Sequence, residues 1–389
     1  MKKHYDFDKV IDRSCTCSVK NDWRLSDQSL EMWVADMDFP VCDEIILAAK
    51  KRLDHPIFGY SYVPDSLYEA FIGWHQRQHQ VTYEKDRILL CHTVVSAISL
   101  TLMALTKKGD VVTVLSPAYM NFPPAILEIG RTILTSPLIN EDNRYRIDFD
   151  SLERCLSQSQ VLLLCSPHNP VGRVFTRGEL MEILRLANQY DTLVISDEIH
   201  SDIIMTTSPQ EHIPFFSLNE SAKNRTITLL SATKTFNIAQ AGFAFLVAHN
   251  QNHFESIRTT MDSLHLGGMN LLATTMVEAA FRHGDAWLSQ VKEYVLANYE
   301  GMKKYIEMTM PKILVLPMEG MYLAWLDCRD LGMDVATFFE KKAQIHGDDG
   351  DLFGLGGTGY YRINLASSKK IVAMMLDRMK QVYDEIIGG

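Results

Sequence analysis

The sequence predicts an α/β protein, with a large domain on a mostly parallel β-sheet and a second, smaller α+β domain. Three observations carry that expectation. Apolar runs recur at Ile88–Cys91, Val111–Leu115, Val161–Cys165, Thr192–Ser196 and Ile227–Leu230. Helix-length segments separate them, as between strands buried on both faces of a parallel sheet. Each run also leads directly into polar or aromatic residues: His92, Tyr119, Asn169, Asp197 and Lys234. Open α/β sheets bind ligands beyond the carboxyl ends of their strands, so this recurrence places a site there.

The elements follow in order. Residues 1–40 are polar until the stretch Met32–Pro40. A helix is predicted over about 41–53, then a Pro-Gly-Tyr stretch, His55–Tyr60, and a second helix from Asp65 to Gln80. From Ile88 to about Ala248 strands and helices alternate with the spacing of crossover units. Beyond about 285 the rhythm changes. A long helix, Trp287 to Met308, precedes strand-like runs at Ile313–Leu316, Met321–Leu326 and Tyr361–Leu365, a pattern suited to a smaller α+β domain.

The 389 residues are enough for two or three domains and a large core. A formal net charge of -10 argues against nucleic acid and gives no attraction to anionic membranes. No apolar run reaches the roughly 18 residues of a transmembrane helix. The first residues lack the apolar core of a secretory signal. Seven scattered cysteines suit a reducing interior, so a cytoplasmic protein is expected.

Lys234 lies in Ser231–Asn237, at the mouth of a buried strand. An ammonium out of water is costly unless its amine has a task. One such task is to hold a carbonyl cofactor as a Schiff base, for which pyridoxal 5′-phosphate is the usual occupant. That cofactor needs an acid at its pyridine nitrogen and donors around its phosphate. Asp197 can supply the first, since a neighbouring anion keeps such a nitrogen protonated. A helix opening near Thr93–Ser96 can supply the second through its free amides, with Val94 and Val95 at its start. Each residue also has a plainer reading. Lys234 could be a surface lysine, Asp197 a helix cap, Asn169 a turn residue before Pro170, and Tyr119 a core tyrosine.

Seven stretches in order decide between these readings: Met32–Pro40, Phe58–Tyr60, Pro167–Gly172, Ser196–Asp202, Ser231–Ala239, Glu319–Asp327 and Gly359–Ala366. Together they resemble the fold type I, aspartate-aminotransferase-like pyridoxal phosphate enzymes over nearly the whole chain. Within these they resemble the MalY/PatB type of cystathionine β-lyases, or C–S lyases. Two features separate the chain from ordinary aminotransferases. Gly242 stands where those usually carry a phosphate-binding arginine, and His200 where they usually carry a tyrosine.

The resemblance implies a large cofactor-binding domain over 50–285 and a discontinuous small domain from 1–49 and 286–389. It implies that Lys234 holds the cofactor and then acts as the base at the substrate Cα. Asp197 pairs with the ring nitrogen, Asn169 meets the ring oxygen and helps align substrate, and Tyr119 stacks on the ring and serves proton transfer. Val94, Val95 and Ser231 hold the phosphate, joined by Tyr60 of the partner subunit in a homodimer. His200 lies on the ring-oxygen side. Arg362 clamps the substrate carboxylate through a fork that lysine cannot reproduce, and the backbone at Ala35 closes over it. The family often has glycine at the place of Thr93, and here an ordinary backbone is expected instead.

The implied activity is α,β-elimination on a small sulfur amino acid such as L-cystathionine or L-cysteine, giving pyruvate, ammonia and a thiol. Two alternatives stay open: a class I/II aminotransferase, and a regulatory binding protein with incidental lyase activity. Other signals are read as structural. Cys15-Thr-Cys17 lacks a second ligand pair, so no metal site is expected. Gly354–Gly359 leads into a strand and is a mobile loop rather than a dinucleotide fingerprint. Asp348–Asp351 is expected to be a solvated turn, and Trp33 and Trp325 core residues.

Overall fold

The computed structural model describes residues 3–387. Its strands are β1 (Leu30–Glu31), β2 (Ile88–Cys91), β3 (Val111–Ser116), β4 (Thr132–Glu141), β5 (Arg144–Ile147), β6 (Val161–Cys165), β7 (Leu193–Asp197) and β8 (Thr226–Leu230). They continue with β9 (Ala244–Ala248), β10 (Leu314–Val315), β11 (Leu323–Asp327), β12 (Ile345–His346), β13 (Asp348–Asp349) and β14 (Tyr360–Asn364).

An eight-stranded sheet runs in the order β2-β9-β8-β7-β6-β3-β4-β5. Its centre, β8-β7-β6-β3-β4, is parallel throughout. The five apolar runs in the sequence are all strands of this sheet, and β6 and β8 are buried at every position. Helices of 13 residues such as Arg177–Gln189 and Gln251–Ser263 cover its faces with apolar stripes. Burial on both sides explains the lack of alternation in those strands.

Three strands of the sheet were not anticipated individually. β9 enters antiparallel between β2 and β8. Its five apolar residues are a legible signal, but nothing in them gives direction. β4 and β5 form an antiparallel hairpin at the far edge. Asp142 and Asn143 make its turn at φ +50° and +60°. Asx residues tolerate that left-handed region, and two of them together are a hairpin signature.

A second sheet, β10-β11-β14-β13, is antiparallel. The long helix spans Asp285–Thr309 and the final one Lys369–Ile387. β1 pairs with β12, so the N-terminal segment joins the C-terminal part of the chain. That segment then crosses the molecule as a strap over residues 32–39. Asn364 holds one side, donating from Nδ2 to Val34 O at 2.7 Å and Asp36 O at 2.6 Å. Asn237, at φ +57°, holds the other, donating to Met37 O at 2.9 Å and Phe39 O at 2.8 Å. Two side-chain amides thus satisfy the carbonyls of a segment that has no ladder of its own.

Gly350 shows why two glycines face each other near β14. A Cβ there would lie 1.9 Å from Gly357 O, so no side chain fits. This contact brings the loop after β13 down against the strand that carries Arg362. Among the described residues, no helix is long and apolar enough to cross a membrane.

Candidate active site

The carboxyl ends of β2, β3, β6, β7 and β8 converge on one cleft of about 560 Å³. Lys234, Asp197, Asn169, Tyr119, His200, Ser231, Val94, Val95, Ala35 and Arg362 all line it. Tyr60 does not. It is fully exposed, in a segment where Ile57, Phe58 and Tyr62 are also exposed.

Lys234 lies in a one-turn helix, Ala232–Thr235, capped by Ser231. Its Nζ donates to Ala35 O at 2.7 Å. The same carbonyl accepts from the Tyr322 hydroxyl at 2.9 Å. Burial pushes the Lys234 amine down to about 8, and the Arg362 charge acts in the same direction. Asp36 and Asp197 oppose them. Asp197 ends β7, is buried, and accepts from the Ile199 amide at 3.1 Å. Burial lifts its carboxyl to about 7, against the pull of that amide and of Lys234. The helix-cap alternative fails, because no helix follows β7 at this point.

At the other end of the cleft, the helix Val94–Leu105 opens with Thr93 in an extended conformation, φ -144°. Thr93 and Ser96 form a reciprocal capping box on an extended Thr93, which explains why glycine is not needed there. The amides of Val94 and Val95 lie in the first turn, where no intrahelical carbonyl can reach them. Gly242 sits at φ +59°, a region that favours glycine. No side chain from that position reaches the cradle. Ser231 is more committed than expected. Its Oγ donates to Phe243 O at 2.6 Å and caps Thr233 N, while the Thr233 hydroxyl lies at 2.7 Å.

Arg362 lies in the middle of β14 and is buried. Its Nη1 donates to Asn169 Oδ1 at 2.9 Å, and its Nε and Nη2 reach Asp348. Asp348 is therefore no solvated turn residue. It belongs to β13, is 4% exposed and lines the cleft, because its strand pairs with β14 directly opposite Arg362. Trp33 is a second correction. It lines the cleft and stacks on His346 at 4.9 Å, whereas Trp325 is core as expected.

The chemistry left unmet in this cleft suits pyridoxal phosphate. A depressed amine, a buried carboxylate with one amide donor, first-turn amides free for an anion, and His200 Nδ1 buried without a partner all face one space. Burial and the positive charges of Lys234 and Arg362 push the His200 ring down to about 3, so it is neutral near pH 7. Sequence reading missed Tyr322, Thr233, Asp348 and Trp33. Tyr322, Trp33 and Thr233 stood inside stretches already singled out, and Asp348 in one read as a turn, yet nothing local marked their roles.

These charges set an expectation for the cofactor-free protein. Asp197 binds its proton up to about pH 7 when folded but only to about pH 4 when unfolded, so its contribution falls as pH rises through that window. Lys234 loses its proton near pH 8 when folded and near 10.5 when unfolded, so its contribution rises between those values. Both penalties are present together near pH 7–8. Thermal unfolding of cofactor-free protein should show its largest gain on adding the cofactor in that range. A gain that is flat from pH 5 to 10 would contradict this electrostatic account.

The comparisons with known proteins agree with the geometry. The family model for aminotransferase class I and II matches residues 30–379. Cystathionine β-lyase PatB of Bacillus subtilis is 34% identical over 96% of this chain and 99% of its own. The crystal structure of cystalysin from Treponema denticola, which contains a pyridoxal 5′-phosphate cofactor, superposes with a TM-score of 0.94 at 32% identity, covering 98% of this chain and 100% of that one. That of the pyridoxal-phosphate-bound C–S lyase from Staphylococcus hominis gives 0.90 at 29% identity, covering 98% and 99%. Sheet order, cleft and sequence lead to one placement. The chain belongs to the aminotransferase class I and II family, on the branch of the MalY/PatB cystathionine β-lyases.

Proposed function

We propose that this protein is a pyridoxal-phosphate-dependent C–S lyase that splits L-cystathionine or L-cysteine-type substrates into pyruvate, ammonia and a thiol. The observation that carries the reading is the convergence of Lys234, Asp197 and Arg362 in one cleft, in a chain 34% identical to a cystathionine β-lyase. Bound at Lys234, the cofactor supplies an electron sink for negative charge at the substrate Cα.

The chain's own residues do the rest. Lys234, with its amine near 8, is poised to exchange a proton at Cα close to neutral pH. Asp197 holds an anion at the ring nitrogen, and the amides of Val94 and Val95, with Ser231, hold the phosphate. Arg362 and Asn169 orient the substrate carboxylate beneath the strap at Ala35. His200 meets the ring-oxygen side, and the Tyr119 hydroxyl, now accepting from Asn121 at 2.7 Å, lies on the cleft wall for stacking and proton transfer.

The active form is a homodimer in which Tyr60 of each subunit completes the partner's phosphate site. Its full exposure outside the cleft and the apolar residues around it support this arrangement. The seven free cysteines suit a cytoplasmic enzyme. The presence of two separate sheets supports a division into a large domain, 50–285, and a smaller discontinuous one, 1–49 with 286–389.

The test is to supply holoenzyme with L-cystathionine and no keto acid. Many equivalents of pyruvate per subunit are expected. One equivalent or less would overturn the lyase reading in favour of transamination.

A further inference from the structure

We propose that Asp348 is a positioning residue for Arg362, the buried counter-charge that dictates which edge of the guanidinium meets a substrate carboxylate. The proposal rests on Arg362 being the carboxylate-binding residue.

An arginine offers five N–H donors in a fixed fork. A single Asp348 oxygen takes two of them, Nε–H at 3.1 Å and one Nη2–H at 2.6 Å. The second Nη2–H makes a long contact of 3.4 Å with Trp33 O, and Nη1 gives one hydrogen to Asn169 at 2.9 Å. One Nη1–H is left. The side-on edge, Nε with Nη2, is therefore closed by Asp348. The end-on edge, Nη1 with Nη2, is the one Asp348 leaves to a carboxylate, shared there with the bond to Asn169 and the loose contact to Trp33 O.

Rotation and tilt of the group are fixed separately. The guanidinium carbon lies over the Phe353 ring, 4.7 Å from its centroid. Asp348 sits opposite Arg362 in the strand register, so its reach is set by the backbone. Both partners are buried, 4% and 3% exposed, where an uncompensated guanidinium would be costly. Asp348 also cancels part of the positive charge that Arg362 projects on Lys234. One carboxylate thus aims the clamp and moderates the base.

The experiment is a double-mutant cycle on holoenzyme with L-cystathionine, using Asp348→Asn, Arg362→Lys and both together. Asp348→Asn should lower kcat at least about tenfold, the scale of a misaimed substrate, with KM unchanged or lower because a competing anion is gone. The acid limb of its kcat/KM profile should move to lower pH, since Asp36 and Asp197 are then the carboxylates left to offset the Arg362 charge at Lys234. In the Arg362→Lys background the same change should alter kcat less than about threefold. Asp348→Glu, which keeps the charge but not the reach, should lose kcat without moving the pH profile. This variant carries the test if the asparagine form does not fold.

Unchanged kcat in both Asp348 variants would overturn the positioning role, as would an equal loss in the Arg362→Lys background. If Arg362→Lys itself leaves kcat/KM intact, the carboxylate assignment of Arg362 fails, and this inference with it.

Discussion

Lys234→Ala is expected to form pyruvate from L-cystathionine at least about 10³-fold more slowly than the parent enzyme while keeping the fold. A positioned general base contributes about 10² to 10⁴ to rate, and in the function proposed above this amine is also the covalent anchor. Folding should survive for a physical reason. Lys234 Nζ gives one hydrogen bond, to Ala35 O, and that carbonyl keeps the Tyr322 hydroxyl as its donor. Removing a buried amine that burial already disfavours takes away a penalty as well as a bond. The measurement pairs pyruvate kinetics with borohydride reduction of the cofactor-loaded protein. The parent should retain the label after denaturation and the variant should release it. A label that stays on the alanine variant would place the anchor at another amine.

Arg362→Lys is expected to lower kcat/KM for L-cystathionine by roughly 10–100-fold. The charge is retained, so the loss measures geometry. A lysine has a single nitrogen and cannot span Asp348, Asn169 and a carboxylate at once. Hydrogen bonds to charged groups contribute about 1.5–3 kcal/mol, and each 1.4 kcal/mol is tenfold. Steady-state kinetics on the purified variant decides it. A change within threefold would mean that the substrate carboxylate is bound elsewhere.

Much of this site was legible because its residues follow strands whose apolar runs are unmistakable. Asp197 and Lys234 could be placed at one sheet edge from their position after β7 and β8 alone. Their identity as a pair followed from a chemical need, an amine and a carboxylate around one ring. Asn169 and Tyr119 gained a role only from the ordered set of stretches, since turn and core readings served each equally well. Asp348 shows the limit. In sequence it belongs to a polar cluster with two further aspartates and a glycine, which reads as a loop. Only the antiparallel pairing of β13 with β14 brings it opposite Arg362 and buries it. Asn364 and Asn237 are similar, since neither can be seen to hold the strap until residues about 200 to 330 positions away meet them.

The sequence by itself determined the α/β class, the central strands, the pyridoxal phosphate cofactor and the branch of the family. These depend on local patterns and on residues next to strand ends, where chain neighbours fix position. The tertiary structure alone decided the antiparallel entry of β9, the strap over the cleft, the neutral His200 and the pairing of Arg362 with Asp348. Each of these arises from long-range contact and from removal of water, and neither quantity is carried by any short stretch of chain.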